Sequence, residues 1–280
     1  MIVAMAYVAV GGVKEPEARV LFVGDMLFDR YIRQVIETRG GDFIFSCIDE
    51  LLQNADVVVG NLEGPITSAP SVSAGSAIGS PENFRFTFPP ATAALLQKHN
   101  ISIVTIGNNH VGNFGREGIE STKRYLAGAG VGHFGAGAVY RTKIRRVPLS
   151  FINYNEFGGE GPEEVIKTIS AERAAGRVAI VYAHWGEEYT AVPERVRRAA
   201  ALFAHAGASA ILGSHPHVVL GSERLGDTLV YWSLGNFIFD QYWDSSVSRG
   251  LAVLLTISKD GVEVQEYPVE MKRDGRTCLL

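Results

Sequence analysis

The chain has 280 residues, of which 46% are hydrophobic and 20% are charged, as is typical of a globular protein. Its 26 basic and 30 acidic residues give a formal net charge of -4, so no nucleic-acid-binding surface is evident from composition. The two cysteines, Cys47 and Cys278, are far apart in sequence and support neither a thiolate zinc site nor a disulfide framework. This cysteine usage is compatible with a reduced, cytosolic type of chain.

The first residues, Met1 to Val13, are apolar and small, lack a basic segment and are too few to span a bilayer. We interpret them either as a first strand or as the stub of a removed membrane anchor, within an N-terminal extension of residues 1–18. Two locations therefore stay open, the cytoplasm and the cell envelope. Membrane association through a missing or short N-terminal anchor stays open as well.

Short apolar runs alternate with longer amphipathic stretches, a pattern that predicts a layered α/β domain. The predicted strands are Val20–Val23, Val57–Gly60, Ser102–Ile106, Gly132–Gly135, Arg145–Ile152, Val178–Ala183, Ala210–Leu212, Thr228–Ser233, Ala252–Ser258 and Val262–Pro268. The predicted helices are Asp29–Arg39, Phe45–Asn54, Pro90–Asn100, Arg116–Gly128, Pro162–Ala175 and Glu194–Ala206. We expect residues 1–280 to form a single domain, with residues 250–280 as a C-terminal β edge.

Polar clusters follow five of the predicted strands. They are Gly24-Asp25, Gly60-Asn61-Leu62-Glu63, Gly107-Asn108-Asn109-His110, Ala183-His184-Trp185-Gly186 and His215-Pro216-His217. Loops at the carboxyl ends of strands are where α/β proteins bind ligands, so we expect these clusters to form one site. We also expect an extended backbone to project the rings of His215 and His217 toward one face.

Each polar side chain taken alone has a purely structural explanation, such as a helix cap for Asp25, a turn carboxylate for Glu63 or a core histidine for His184. Taken together, the clusters offer oxygen and nitrogen ligands without sulfur. That mixture suits paired manganese, iron or zinc ions. The sequence therefore predicts a centre of two divalent metal ions.

The chain resembles the CapA family of poly-γ-glutamate capsule biosynthesis proteins, whose fold is similar to that of the calcineurin-like metallophosphoesterases. The resemblance runs from about Val20 to Gln241. It rests on six motifs in the family's order: Gly24-Asp25-Met26, Asn61-Leu62-Glu63, Asn108-Asn109-His110, His184-Trp185-Gly186, Gly213-Ser214-His215-Pro216-His217 and Ser233-Leu234-Gly235-Asn236-Phe237. It implies a four-layer α/β/β/α sandwich of the metallo-dependent phosphatase type.

The resemblance also implies three ligands for each of two ions: Asp25, Glu63 and His217 for one, and Asn109, His184 and His215 for the other. Glu63 would bridge the ions. Leu27 stands where metallophosphoesterases usually have a histidine, so we expect the first ion to be held more loosely. The neighbouring amides of Asn61, Asn108 and Asn236 are expected to support the ligands by hydrogen bonding.

Two further residues are candidates for contact with a substrate. His110, next to Asn109, would protonate a leaving oxygen or stabilise charge in the transition state, or else it only orients a ligand. Asn113 stands where the family commonly has an aspartate, so we expect His110 to be a weaker proton carrier. Arg30 is either an anion-binding guanidinium or an exposed arginine on a helix surface.

Two divalent ions against two carboxylates, Asp25 and Glu63, would leave a positive pocket that attracts phosphate or carboxylate. A hydroxide bridging ions roughly 3.5–4 Å apart is placed for attack on phosphorus, so we predict hydrolysis of phosphate esters. The family name implies a role in capsule or poly-γ-glutamate biosynthesis. Two alternatives stay open: a non-catalytic, metal-dependent binding protein for an anionic polymer, and a metal-dependent amidase acting on γ-glutamyl bonds.

Overall fold

The computed structural model describes residues 17–159, 161–258 and 261–280. The predicted N-terminal extension lies outside these residues except for its last two, and Ala18 is the first residue of a strand. No helix in the described part of the chain is both long and apolar enough to cross a bilayer.

The described residues form fourteen strands and seven α-helices. The strands are β1 (Ala18–Met26), β2 (Val57–Leu62), β3 (Ile101–Thr105), β4 (Gly132–Phe134), β5 (Tyr140–Ile144), β6 (Val147–Asn155), β7 (Val178–His184), β8 (Ala210–Ser214), β9 (Ser222–Leu225), β10 (Thr228–Tyr231), β11 (Asn236–Ile238), β12 (Arg249–Ser258), β13 (Gly261–Met271) and β14 (Thr277–Leu279). The helices are α1 (Arg30–Arg39), α2 (Asp42–Phe45), α3 (Asp49–Gln53), α4 (Ala91–Lys98), α5 (Gly115–Gly128), α6 (Pro162–Ala174) and α7 (Glu194–His205).

The strands form two sheets. The first has the order β14-β13-β12-β1-β2-β3-β4, with β11 also paired to β1, and the second has the order β5-β6-β7-β8-β10-β9. Strands β1, β2, β3 and β4 are mutually parallel, as are β6, β7 and β8. Parallel strands carry their following loops at the same sheet edge, which places the polar clusters of each sheet together.

Three hydrophobic cores separate four layers. Along β1, Leu21 and Val23 join the core beneath α1 to α5, whereas Val20 and Phe22 join the core between the two sheets. This alternation follows from the two-residue period of a strand. The third core, which includes Phe203 of α7, lies between the second sheet and helices α6 and α7. The predicted α/β/β/α sandwich is therefore confirmed.

Several element boundaries differ from those predicted. The predicted strand Arg145–Ile152 is the second half of a hairpin, because Arg145 and Arg146 adopt positive φ angles of 48° and 73° and reverse the chain between β5 and β6. Arginine carries no turn signal in sequence, so the hairpin was missed. The predicted helix Phe45–Asn54 is divided between α2 and α3.

The interpretation that the two cysteines support no disulfide and suit a reduced chain is wrong. Cys47 and Cys278 form a disulfide, with their Cα atoms 4.8 Å apart across a sequence separation of 231 residues. The pairing arises because β14, at one edge of the first sheet, packs beside α2. Sequence separation carries no information about such a contact between an edge strand and a helix.

Candidate metal centre

Two fully buried carboxylates, Asp25 and Glu63, form the base of the site. Asp25 lies near the end of β1 and Glu63 directly follows β2. Asn61 Nδ2 donates hydrogen bonds to Asp25 Oδ1 at 2.8 Å and to Glu63 Oε2 at 3.3 Å, which holds the two carboxylates side by side. Asp25 is therefore not a helix cap; that function belongs to Asp29, whose side chain accepts a hydrogen bond from the amide of Arg30.

The backbone around Asp25 is set by a close approach between β1 and the turn before β11. A Cβ atom at Gly24 would lie 1.9 Å from the carbonyl oxygen of Gly235, so only glycine permits this approach. The amide of Asp25 donates to the same oxygen at 3.0 Å. In this register Asp25 is the partner of Asn61 on one side and of Asn236 on the other.

The two histidines of the His215-Pro216-His217 segment lie in a turn beyond β8 rather than in extended backbone. Their φ angles, 93° for His215 and 56° for His217, are in the left-handed region, which non-glycine residues rarely adopt. The ring centroids are 6.0 Å apart. The expectation of an extended segment is wrong, and the rings converge because the strained turn directs both of them inward.

His217 is oriented by Asn236. Its Nδ1 lies 2.8 Å from Asn236 Oδ1, while Asn236 Nδ2 donates to Gln241 Oε1 and to the carbonyl of Val247, both at 2.9 Å. These two bonds fix the amide with its oxygen toward the imidazole, so Nδ1 is the donor. The other ring nitrogen, Nε2, lies 3.5 Å from Glu63 Oε1 and faces the carboxylates.

The second group of implied ligands also meets. His184, at the end of β7, is fully buried, and its Nε2 lies 2.9 Å from Asn109 Oδ1. Its Nδ1 lies 2.9 Å from Ser214 Oγ, and its ring centroid is 4.8 Å from that of His215. Asn109, His184 and His215 therefore lie together.

Burial and mutual charge shift the acid–base behaviour of these groups. Burial raises the pKa of Asp25, but hydrogen bonding and attraction from His217 outweigh it and hold that pKa well below its usual range. Burial and the adjacent Asp25 raise the pKa of Glu63 well above its usual range. Burial lowers the pKa of His217, yet Glu63 and Asp25 raise it to about 9. Two buried carboxylates close together thus favour a positively charged group beside them.

The residues present fit divalent cations. Glu63 Oε1 and His215 Nδ1 are buried and have no hydrogen-bond partner within the described residues. Ligand atoms of Asp25, Glu63 and His217 all lie within 4.8 Å of one another. Oxygen and imidazole donors in this arrangement suit manganese, iron or zinc, and the unpartnered atoms are the ones that an ion would satisfy.

A further carboxylate, that of Glu188, lies close enough to the histidines to share a metal ion, and the sequence did not predict it. Glu188 groups with His215 and His217, again with all ligand atoms within 4.8 Å. The signal available in sequence was its place in a strand-end loop, four residues after His184. Because Glu187 precedes it, sequence alone could not tell which of the two carboxylates enters the site.

The remaining supporting amide, that of Asn108, links the clusters into one network. Asn108 Nδ2 donates to Asn61 Oδ1 at 2.9 Å and to the carbonyl of Leu62 at 2.8 Å. Asn108 Oδ1 accepts from the amide of His110 at 3.0 Å. Through Asn108, the loop that carries His110 is tied to the residue that positions the carboxylates.

His110 lies at one wall of the site, with its ring centroid 4.3 Å from that of Phe86 and the two ring planes tilted by 37°. Asn113 Nδ2 donates to the carbonyl of Phe84 at 2.9 Å and lies 3.2 Å from His110 Nδ1. An amide nitrogen only donates, so Nδ1 accepts and Nε2 carries the ring proton. Burial, together with His217 and His215, lowers the pKa of His110 to about 4. The ring is therefore a neutral hydrogen-bond donor at neutral pH.

Arg30 is held between two aromatic rings, at 5.1 Å from the centroid of Phe86 and 5.4 Å from that of Phe239. Its guanidinium pairs with Asp240. The side chain is only 13% exposed, so Arg30 is not the exposed helix-surface arginine of the alternative interpretation. Its buried Nε has no hydrogen-bond partner within the described residues.

Comparison with known proteins gives one family match and two similar capsule proteins. Residues 19–155 and 150–241 match the family described as bacterial capsule synthesis protein PGA_cap. The chain is 27% identical over 286 residues to the PGA biosynthesis protein CapA of Bacillus subtilis (strain 168), covering 91% of this chain and 74% of that protein. It is 27% identical over 301 residues to the capsule biosynthesis protein CapA of Bacillus anthracis, covering 97% and 69% respectively.

Proposed function

We propose that this chain, which belongs to the PGA_cap family of bacterial capsule synthesis proteins, acts in capsule biosynthesis on an anionic substrate. The names of its two CapA relatives refer to capsule and PGA biosynthesis, which supports poly-γ-glutamate as the polymer concerned. The finer proposal is that a centre of two divalent ions hydrolyses a phosphate ester. The observation that carries it is the convergence of buried carboxylates and imidazoles with unpartnered ligand atoms.

The proposed ligands are those implied by the resemblance: Asp25, Glu63, His217, Asn109, His184 and His215. When bound, divalent ions supply Lewis acidity toward an anionic oxygen and lower the pKa of coordinated water. Asn236 holds His217 in the orientation that leaves Nε2 free, and Asn61 holds the two carboxylates together. These hydrogen bonds organise the site before any substrate arrives.

Hydrolysis of a phosphate ester joins a water oxygen to phosphorus, breaks the bond to the leaving oxygen and transfers one proton to that oxygen. His110, neutral and protonated at Nε2, donates a hydrogen bond to charge that develops on an oxygen of the substrate. Arg30 offers Nε to a phosphate or carboxylate, while Asp240 keeps its guanidinium in place.

A second candidate function is metal-dependent binding of an anionic polymer without cleavage. The low pKa of His110 favours this candidate, because a ring that is neutral at neutral pH has no extra proton to give to a leaving group. Pairing of Arg30 with Asp240 also leaves less positive charge than a free guanidinium would provide. Cleavage of γ-glutamyl amide bonds would use the same residues on a carbonyl carbon.

Elemental analysis of protein purified without added metal, followed by assays with manganese, iron or zinc restored, tests these candidates. We expect about two ions per chain and turnover of aryl phosphate mono- or diesters. His110→Ala should reduce that turnover by roughly 100-fold or more with metal content unchanged. The matched control is His133→Ala, a histidine on β4 outside the site, which should keep full turnover.

The other results discriminate between the candidates. Bound metal without ester turnover would reject the phosphoesterase proposal, and incubation with poly-γ-glutamate would then separate cleavage of the polymer from its retention. Shorter chains would indicate an amidase, whereas metal-dependent retention of intact polymer would indicate a binding protein. Protein that takes up no ion under any of these conditions would reject the metal centre itself.

A further inference from the structure

Glu188 lies at the solvent-facing side of the site, next to two buried histidines. It lies in the loop that follows β7, and its carboxylate is grouped with His215 and His217, all ligand atoms lying within 4.8 Å. Glu188 is exposed, whereas the two imidazoles are 4% and 3% exposed. The carboxylate therefore reaches buried histidines from the solvent side.

The backbone that carries Glu188 is anchored on both sides. The amide of Tyr189 donates to the carbonyl of Pro216 at 2.9 Å, which ties this loop directly to the turn between the two histidines. The amide of Gly186 donates to Glu156 Oε2 at 2.7 Å, and the Tyr189 hydroxyl accepts from Gln241 Nε2 at 3.0 Å. Hydrogen bonds of the neighbouring residues therefore fix the backbone of Glu188 beside the histidines.

Tyr189 adopts a φ angle of 61°, a left-handed conformation that costs free energy in a non-glycine residue. His215 and His217 adopt left-handed φ angles as well, so the two segments that face each other here both carry backbone strain. Such strain persists where surrounding contacts impose it, and it is concentrated at ligand-binding sites. The conformation directs Glu188 and the two rings to one point.

The neighbouring Glu187 behaves differently. Its Oε1 pairs with Arg195 Nη1 at 3.0 Å, and Arg195 Nε pairs in turn with Glu156 at 2.7 Å. Across the described ranges no lysine or arginine forms a salt bridge with Glu188. Adjacent carboxylates thus have separate surroundings: one belongs to a surface ion-pair network and the other faces two imidazoles.

The two groups of ligand atoms share His217. One, with Asp25 and Glu63, is fully buried, and the other, with Glu188 and His215, opens to solvent. Leu27, where metallophosphoesterases usually have a histidine, is fully buried in the core beneath the helices and supplies no donor. The buried His215 Nδ1, unpartnered within the described residues, independently indicates a ligand on this side.

We infer that Glu188 is a third carboxylate ligand of the metal centre, acting with His215 on the ion nearer to solvent, while His217 Nε2 serves the buried ion together with Asp25 and Glu63. This inference rests on the proposed metal centre but not on the proposed hydrolysis. It makes the two ion positions unequal, because one is enclosed by buried groups and the other depends on an exposed side chain. The solvent-facing ion is then the one that exchanges more readily, which differs from the expectation from Leu27 that the first ion is the more loosely held.

Titration of the chelator-treated full chain with Mn²⁺, followed by calorimetry and by the electron paramagnetic resonance of free Mn²⁺, tests the inference directly. We expect two binding steps in the wild type. Glu188→Gln should weaken one step by at least about tenfold and leave the other unchanged. Glu187→Gln, which removes the same charge one residue away, should bind both ions as the wild type does.

Three results would overturn the assignment: two unchanged steps in Glu188→Gln, equal weakening in both variants, or a change confined to Glu187→Gln. Equal weakening would indicate a general effect of surface charge. Thermal unfolding of the metal-free variants checks that both remain folded. Wild-type protein that binds two ions but hydrolyses no ester would reject the proposed hydrolysis alone, whereas ester turnover with unchanged Mn²⁺ binding in Glu188→Gln would reject this inference alone.

Discussion

Asn236 and His217 form a hydrogen bond of 2.8 Å between Oδ1 and Nδ1, and this bond connects the first residue of β11 to the turn beyond β8, across 19 residues of sequence. The amide is itself held by Gln241 and by the carbonyl of Val247. A fully buried asparagine with both ends of its side chain engaged acts as a rigid support. The orientation of His217 therefore depends on a residue that contacts no proposed ion.

Replacement of this support should weaken metal binding without removing a ligand. We expect Asn236→Ala to raise the Kd for Mn²⁺ by about 10–100-fold, the usual effect of losing a residue that orients a metal-binding histidine. Calorimetric titration measures the change. Asn83→Ala, at a buried asparagine that bonds Ser76 in the loop before α4, is the control and should leave the Kd unchanged. An unaltered Kd in Asn236→Ala would show that the imidazole is held by other contacts.

Arg30 should affect substrate binding more than metal binding. Removal of a charge-assisted hydrogen bond costs about 1.5–3 kcal/mol, so we expect Arg30→Ala to raise KM for an aryl phosphate by about 10–100-fold. Steady-state kinetics with saturating Mn²⁺ measures KM, and calorimetry should show the same Mn²⁺ binding as in the wild type. Arg197→Ala is the control, because Arg197 also pairs with a carboxylate and stacks on an aromatic ring, but on α7. An equal KM in the two variants would exclude Arg30 from the substrate site.

The disulfide should stabilise the first sheet against unfolding. Because it closes a loop of 231 residues between α2 and β14, Cys278→Ser is expected to lower the free energy of unfolding by about 2–5 kcal/mol. Chemical denaturation measures the loss, and the double variant Cys47→Ser/Cys278→Ser should lose no more than the single variant. Titration of two free thiols in the native wild-type protein under oxidising conditions would contradict the pairing.

His133 should contribute to the dependence of stability on pH. Burial and the nearby Lys123 lower its pKa below the ordinary value of 6.5, against a smaller opposing effect of Glu120. The unfolded chain then binds the proton more readily than the folded one. The stabilising contribution is present above pH 6.5 and is lost as the pH falls through the lowered folded-state pKa.

We therefore expect His133→Asn to flatten the loss of stability on acidification below pH 6.5. Denaturant midpoints measured at a series of pH values give the slope for the wild type and the variant. His205→Asn, at the last residue of α7, serves as a comparison outside β4. A slope that remains the same in His133→Asn would show that other groups account for the pH dependence.

Much of the architecture followed from local pattern. The strands β1, β2, β3, β7 and β8 lie close to their predicted positions, because buried parallel strands are short apolar runs with polar residues at their ends. The four-layer sandwich, which the resemblance to the CapA family implied, and the family itself were both correctly identified, since six motifs in order constrain the fold more than any single motif does. The site residues lie at strand ends, where local pattern and topology agree.

Details that depend on distant contacts were not predictable. The left-handed turn at His215 and His217 was expected to be extended, because neither histidine nor proline in a sequence indicates a positive φ angle. The hairpin at Arg145 was missed for the same reason. The pairing of Arg30 with Asp240 joins residues 210 positions apart, a separation at which sequence periodicity carries no information.

The sequence by itself determined the fold class, the family and the positions of the polar clusters, because these properties reside in local periodicity and in the order of short motifs. Only the tertiary structure decided which side chains share the site. It selected Glu188 over Glu187, paired Cys47 with Cys278 and set the tautomer of His110 through Asn113. Each of these choices depends on distances between segments that packing brings together, and such distances are not encoded in any one stretch of the chain.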